Sequence, residues 1–183
     1  IDALPLFRQH PFFDDFWKAM DIESRYAEMN VPALIIGGWY DIFLEGSLND
    51  FVGRQNLGRD GARGNQRLFI GPWTHVKELK QDQGQLKYPA NSMLDSEVTL
   101  TVDWFDFWLK GANNTVMKLP AVHYYVMGDV NEPSAPGNEW RTSDSWPIEA
   151  KDKAFYLTPA NGLSNAIPDP AVVELTLNPT QPV

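Results

Sequence analysis

Cysteine is absent from all 183 residues, so neither a disulfide framework nor a thiolate metal site can be built. No run approaches the roughly 18 apolar residues of a membrane span, and no membrane partner is expected. No charged-then-apolar leader opens the sequence, although the chain starts at Ile1 rather than Met and leaves room for upstream residues. The compartment therefore stays open between cytoplasmic and secreted. Basic residues are in the minority: 15 Lys and Arg against 24 Asp and Glu give a net charge of −9. Such a surface repels phosphate backbones, which argues against nucleic-acid binding. The three histidines form no His-x-His or His-Glu-x-x-His pair, so a catalytic zinc site has no support.

What is present is a globular composition, 43% hydrophobic and 13% aromatic. Phe12 to Met29 reads as helical, with Phe12, Phe13, Phe16, Trp17 and Met20 on one apolar face and Asp21 able to cap a second short helix. Val31 to Gly38 is a short apolar run closed by glycines, as in a strand covered on both faces. Leu44 to Leu57 reads as a helix carrying Leu44, Leu48, Phe51 and Val52 inward. Arg67 to Gly71 is a second buried strand, so strand, helix and strand form a parallel βαβ unit with a right-handed crossover. A long helix follows from Ser92, with Asp95 as a capping-box partner, Leu94, Val98, Val102, Phe105 and Leu109 as its apolar stripe, and Gly111 as its stop.

Beyond Leu119 the texture changes. The segments 121–127, 153–157 and 172–177 are short and β-like, with Pro, Gly, Asn and Ser between them. The expectation is an α/β domain over residues 1–115 and the start of a β-sandwich or jelly roll over 116–183.

Asp41 follows the first apolar strand and His75 the second. In an open parallel sheet the carboxyl ends of the strands converge on one crevice, which puts both side chains on one rim. An aspartate holding one imidazole nitrogen fixes the tautomer and frees the other nitrogen to take a proton from a nucleophile. A lone Asp or His at a strand end is more often structural, and topology alone does not decide between the two readings.

His10-Pro-Phe-Phe-Asp-Asp-Phe-Trp17, Gly37-Gly-Trp-Tyr-Asp-Ile-Phe43, Gly71-Pro-Trp-Thr-His75 and Trp104-Phe-Asp-Phe-Trp-Leu-Lys-Gly111 together resemble the cocaine esterase / X-Pro dipeptidyl-peptidase (S15) hydrolases. The resemblance runs from about Leu4 to Gly111 and more loosely beyond Leu119. It implies an α/β-hydrolase fold with Asp41 as triad acid, His75 as triad base, and no metal or organic cofactor. It also places Phe43 at the acyl pocket, with Tyr40 and Trp73 beside the substrate, although aromatics at strand ends are usually core.

The nucleophile elbow Gly-x-Ser-x-Gly is missing: no serine here has glycine at both −2 and +2. The expectation is therefore the second half of an esterase-like enzyme acting on acyl esters or amides, with its serine upstream and this chain inactive alone. An Xaa-Pro dipeptidyl-peptidase or a β-lactam acylase is the alternative chemistry. A non-catalytic remnant or a subunit that binds a partner chain is the alternative class. Either way, a truncated sheet would expose an edge and drive homo-oligomerisation or association with the missing N-terminal half.

Three other patterns carry less. His10 and His123 read as structural. The Gly58/Gly61/Gly64 loop with Arg59 and Arg63 runs helix, glycines, strand, which is the wrong order for a phosphate loop.

Overall fold

The computed structural model describes residues 3–75, 81–94, 97–132, 134–160, 162–172, 174 and 180. Two compact units divide between Ile148 and Glu149.

The first unit opens with helices α1 (Leu4–Gln9) and α2 (Asp15–Met20). The helical stretch expected from Phe12 starts later than expected for a local reason, and the second short turn expected from Asp21 is present. The Asp14 carboxylate accepts from Phe16 N and starts α2 there, which leaves Phe12 and Phe13 outside it and exposed. Asp21 is extended and accepts from Glu23 N and Ser24 N, so it ends α2 and caps the 3-10 turn Glu23–Glu28.

Strand β1 (Ala33–Gly38), helix α3 (Leu44–Leu57) and strand β2 (Gln66–Gly71) follow as the expected unit. The strands pair in parallel, from Ala33 beside Gln66 to Gly38 beside Gly71. After His75 come the two-residue strands β3 (Asp82–Gln83) and β4 (Leu86–Lys87), which pair as a hairpin, and then α4 (Glu97–Lys110). Ser92 does not cap α4. It closes a 3-10 turn, Ala90–Ser92, in which its N–H donates to the Pro89 carbonyl, and Asp95 lies outside the described residues. Gly111, with φ +68°, supplies the left-handed stop that the sequence signals.

β2 is the buried axis of the sheet. Leu68 and Ile70 face Phe51 of α3, while Phe69 faces Leu100 and Trp104 of α4, so one helix covers each face. The inward stripe of α4 is Leu100, Trp104, Phe107 and Trp108, not the expected one; Val98, Val102, Phe105 and Leu109 are exposed.

The boundary expected at 115/116 is not where the fold divides. β5 (Val122–Val126) pairs in parallel with β2, and β6 (Glu139–Ser143) pairs antiparallel with β5, giving one sheet in the order β1-β2-β5-β6. Val122 is fully buried in the same core as Phe51 and Leu68, so this strand completes the α/β sheet instead of opening a separate sandwich. Among its described residues the second unit holds one short hairpin, β7 (Tyr156–Leu157) with β8 (Leu163–Ser164). Most of the strand expected at 172–177 lies outside the described residues.

Candidate active site

Parallel register builds the site. Gly38 and Gly71 sit side by side at the ends of β1 and β2, so the turns that follow rise from the same rim. Two backbone bonds lace those turns together, Trp39 N–H donating to the Gly71 carbonyl (2.8 Å) and Tyr40 N–H to the Trp73 carbonyl (3.0 Å), and Asp41 N–H closes the first turn on the Gly38 carbonyl (3.0 Å). A Cβ at Gly38 would run into the Trp73 carbonyl oxygen, so only glycine allows this close approach.

The Asp41 carboxylate is divided between two tasks. Oδ1 accepts from Phe43 N–H (2.8 Å), an Asx turn that leads into α3. Oδ2 accepts from His75 Nδ1–H (3.2 Å). An ionised carboxylate can only accept, so Nδ1 carries the proton and Nε2 of a neutral ring is left as the acceptor. The Asp41 side chain is 8% exposed and that of His75 is 58% exposed. The carboxylate is sheltered while the imidazole is largely exposed, an arrangement that can take a proton from a hydroxyl and stabilise the resulting imidazolium. Phe43, itself half-exposed, stands edge-on to the His75 ring at 4.7 Å.

The other aromatics sort differently. Trp73 is 5% exposed and donates its Nε1–H to the Ser92 carbonyl (3.1 Å), which corrects its expected place beside the substrate: the ring is spent on packing behind the rim. Trp39 donates its Nε1–H to the Tyr125 carbonyl (2.6 Å). Tyr40 is partly exposed, and its hydroxyl bonds that of Tyr88 (2.6 Å). Sequence reasoning missed Tyr88, Asn91 and Trp140. Asn91 Oδ1 accepts from Tyr125 O–H, its amide donates to the Asn138 carbonyl, and its own carbonyl accepts from Trp140 Nε1–H. No spacing in the sequence signals these contacts, because they join segments 34 to 49 residues apart.

The remaining histidines lie elsewhere. His10 Nδ1–H donates to Asp14 (2.7 Å), its ring stacks on Phe16 and its carbonyl accepts from Trp17 Nε1–H, so it knots the corner between α1 and α2. The His123 ring stacks on Phe69, and burial holds its pKa below the usual value. Arg59 and Arg63 of the glycine loop donate to the backbone carbonyls of Ala27 and Gly58. A cleft of about 580 Å³ runs along α3 past Leu44, Leu48, Val52 and Trp146; neither Asp41 nor His75 lines it.

Comparison with known proteins bears on the same stretch. Residues 2–77 match the X-Pro dipeptidyl-peptidase (S15 family) model. Cocaine esterase of Rhodococcus sp. (strain MB1 Bresler) is 31% identical over 151 residues, covering 81% of this chain and 24% of the esterase. This chain thus spans about a quarter of that relative's length. Among solved structures, an aminopeptidase from the marine sediment archaeon Thaumarchaeota archaeon superposes with a TM-score of 0.72 at 23% identity, covering 93% of this chain and 27% of that one. A CocE/NonD family hydrolase from Staphylococcus aureus superposes at 0.60 and 23% identity, covering 91% of this chain and 26% of that one. At that identity these two structures speak for the fold alone.

Proposed function

We infer, from a chain whose residues 2–77 belong to the cocaine esterase / X-Pro dipeptidyl-peptidase (S15) family of hydrolases, that Asp41 and His75 are the acid and base of a Ser-His-Asp triad. The observation that carries the reading is the bond from His75 Nδ1–H to Asp41 across the ends of two adjacent parallel strands. The serine comes from residues outside this chain. His75 takes its proton as the hydroxyl attacks the acyl carbonyl, then returns that proton to the leaving group. Asp41 holds the ring and offsets its charge. Water hydrolyses the acyl-enzyme by the same route in reverse.

The substrate class is an acyl ester or amide, with the ester first. Two observations support that order: the 31% identity to an esterase, and the apolar Phe43 exposed beside His75. Phe43 lines the acyl side. An Xaa-Pro dipeptidyl-peptidase or a β-lactam acylase is the alternative within the same mechanism.

The partner that completes the site is the serine-bearing part of the same enzyme. Among the described residues β1 is an end strand of the sheet, and its Ala-Leu-Ile-Ile run is too apolar for a free edge. The exposed stripe Val98, Val102, Phe105 and Leu109 also favours covered surface, which a second copy of the chain would equally supply.

The test is the intact mass of the native protein with and without a fluorophosphonate probe. A chain heavier than 20.7 kDa with one adduct on a serine upstream of Ile1 supports the reading. A native chain of this size with no adduct removes it, and leaves a non-catalytic subunit or remnant.

A further inference from the structure

The geometry points to Tyr88 as a positioning residue for the Asp41–His75 pair, acting through the hydroxyl of Tyr40; this assignment rests on the triad reading above. The two hydroxyls lie 2.6 Å apart, with ring centroids 6.5 Å apart. Tyr40 is the residue before Asp41, and its backbone N–H already donates to the Trp73 carbonyl. The tyrosine bond thus fixes the same turn from the side-chain end. One phenol donates and the other accepts, so the link needs both hydroxyl oxygens in place.

Tyr88 can act as an anchor because it is buried and held at both backbone and ring. It is 2% exposed, its backbone N–H donates to the Gln81 carbonyl (2.9 Å), and its ring meets the fully buried Tyr125 edge-on at 6.1 Å. Tyr125 O–H donates to Asn91, which is bonded in turn to the Asn138 carbonyl and to Trp140. Tyr40, by contrast, is partly exposed. The link therefore ties a loosely packed ring on the acid's turn to a rigid aromatic cluster.

The topology gives the link its purpose. Two separate residues bond the same dipeptide: His75 to Asp41 and Tyr88 to Tyr40. The second tie holds the turn bearing Asp41 from its other residue, and the 3.2 Å contact it supports sits at the outer edge of hydrogen-bond range. An error of an ångström in such a pair is felt in the chemical step more than in binding.

Tyr88→Phe and Tyr40→Phe each delete one hydroxyl and keep the ring, so the native full-length enzyme is assayed with both, singly and together. Each single variant should lower kcat by roughly five- to thirtyfold with KM little changed, the loss of one hydrogen bond. Fluorophosphonate labelling should slow in step, and the double variant should be no worse than either single one. Tyr40→Phe decides the matter if Tyr88→Phe does not accumulate, since its ring is not buried. His75→Ala separates the two layers. If His75→Ala keeps turnover, the triad reading falls and the positioning role with it. If His75→Ala is inactive while Tyr40→Phe keeps native kcat, only the positioning role is overturned. A rise in KM at unchanged kcat also overturns it, because that pattern belongs to substrate contact by Tyr40.

Discussion

His75 donates its Nδ1–H to Asp41 over 3.2 Å, and the two residues stand 34 positions apart at the ends of neighbouring parallel strands. The Asp41 side chain is nearly buried and that of His75 is largely exposed. That asymmetry suits an orienting carboxylate and a working imidazole better than a surface ion pair, in which both partners are usually solvated.

Asp41→Asn in the full-length enzyme keeps the shape but favours the wrong tautomer, because the amide can donate to Nδ1. The turnover number should fall on the order of 10⁴-fold, with KM changed far less. Steady-state kinetics on an activated ester checks this, and a fall of less than tenfold would place the acid elsewhere. His75→Ala should fall at least as far.

Gly38→Ala tests the lacing of the rim. The new methyl meets the Trp73 carbonyl, which also accepts from Tyr40 N–H, so relief of the clash separates the two turns. Overpacking of this kind costs about 1–3 kcal/mol. Thermal unfolding should show the loss, and the activity of the folded fraction should drop as well. Native stability with native kcat would mean that the turns tolerate separation.

The pair of strands and the helix between them were legible because each carries its own stop: glycines after Ile36, and Gly58 after Leu57. Parallel pairing then made Asp41 and His75 neighbours before any distance was known. The Tyr40–Tyr88 link was not legible, since nothing local marks two tyrosines 48 positions apart as partners. Asp21 was legible as the cap of a second turn, and the late start of α2 could have been read the same way from Asp14, whose side chain competes for the backbone. The boundary misplaced at 115/116 has another cause. A short apolar strand reads alike in a sandwich and in a parallel sheet, and only the open edge of β2 assigns β5 to the latter.

Helix α4 was misread because it is apolar on more than one side, so periodicity cannot choose the buried stripe. Trp104 is 4% exposed and Val98 is 77% exposed. Trp104→Ala should therefore destabilise by about 3–5 kcal/mol. Val98→Ala should stay within about 0.5 kcal/mol. Denaturant titration of both variants distinguishes the stripes, and the opposite ranking would restore the one expected from sequence. In the same chain Val98→Lys and Leu109→Lys should reduce self-association measured by light scattering, with no loss of unfolding cooperativity.

The tyrosines give a readout of burial that needs no substrate. Burial pushes the Tyr26 phenol up to about 12, with the Asp50 and Glu23 carboxylates adding to the effect. Tyr88 is raised by burial and by its bond to Tyr40, and Tyr125 by burial. A phenol that holds its proton more tightly when folded contributes stability that is whole below the unfolded value of 10.0 and is lost as pH rises through about 12. Of the six tyrosines, these three should stay protonated when the pH first passes 10. In the native protein the tyrosinate absorbance of these three should therefore appear only above that range, as the fold opens. In denaturant all six should titrate together near pH 10. Tyr88→Phe should remove amplitude from the late phase only. A single native transition near 10 would show that water reaches Tyr26 and Tyr88, and the rigid cluster behind the acid's turn would have to be abandoned.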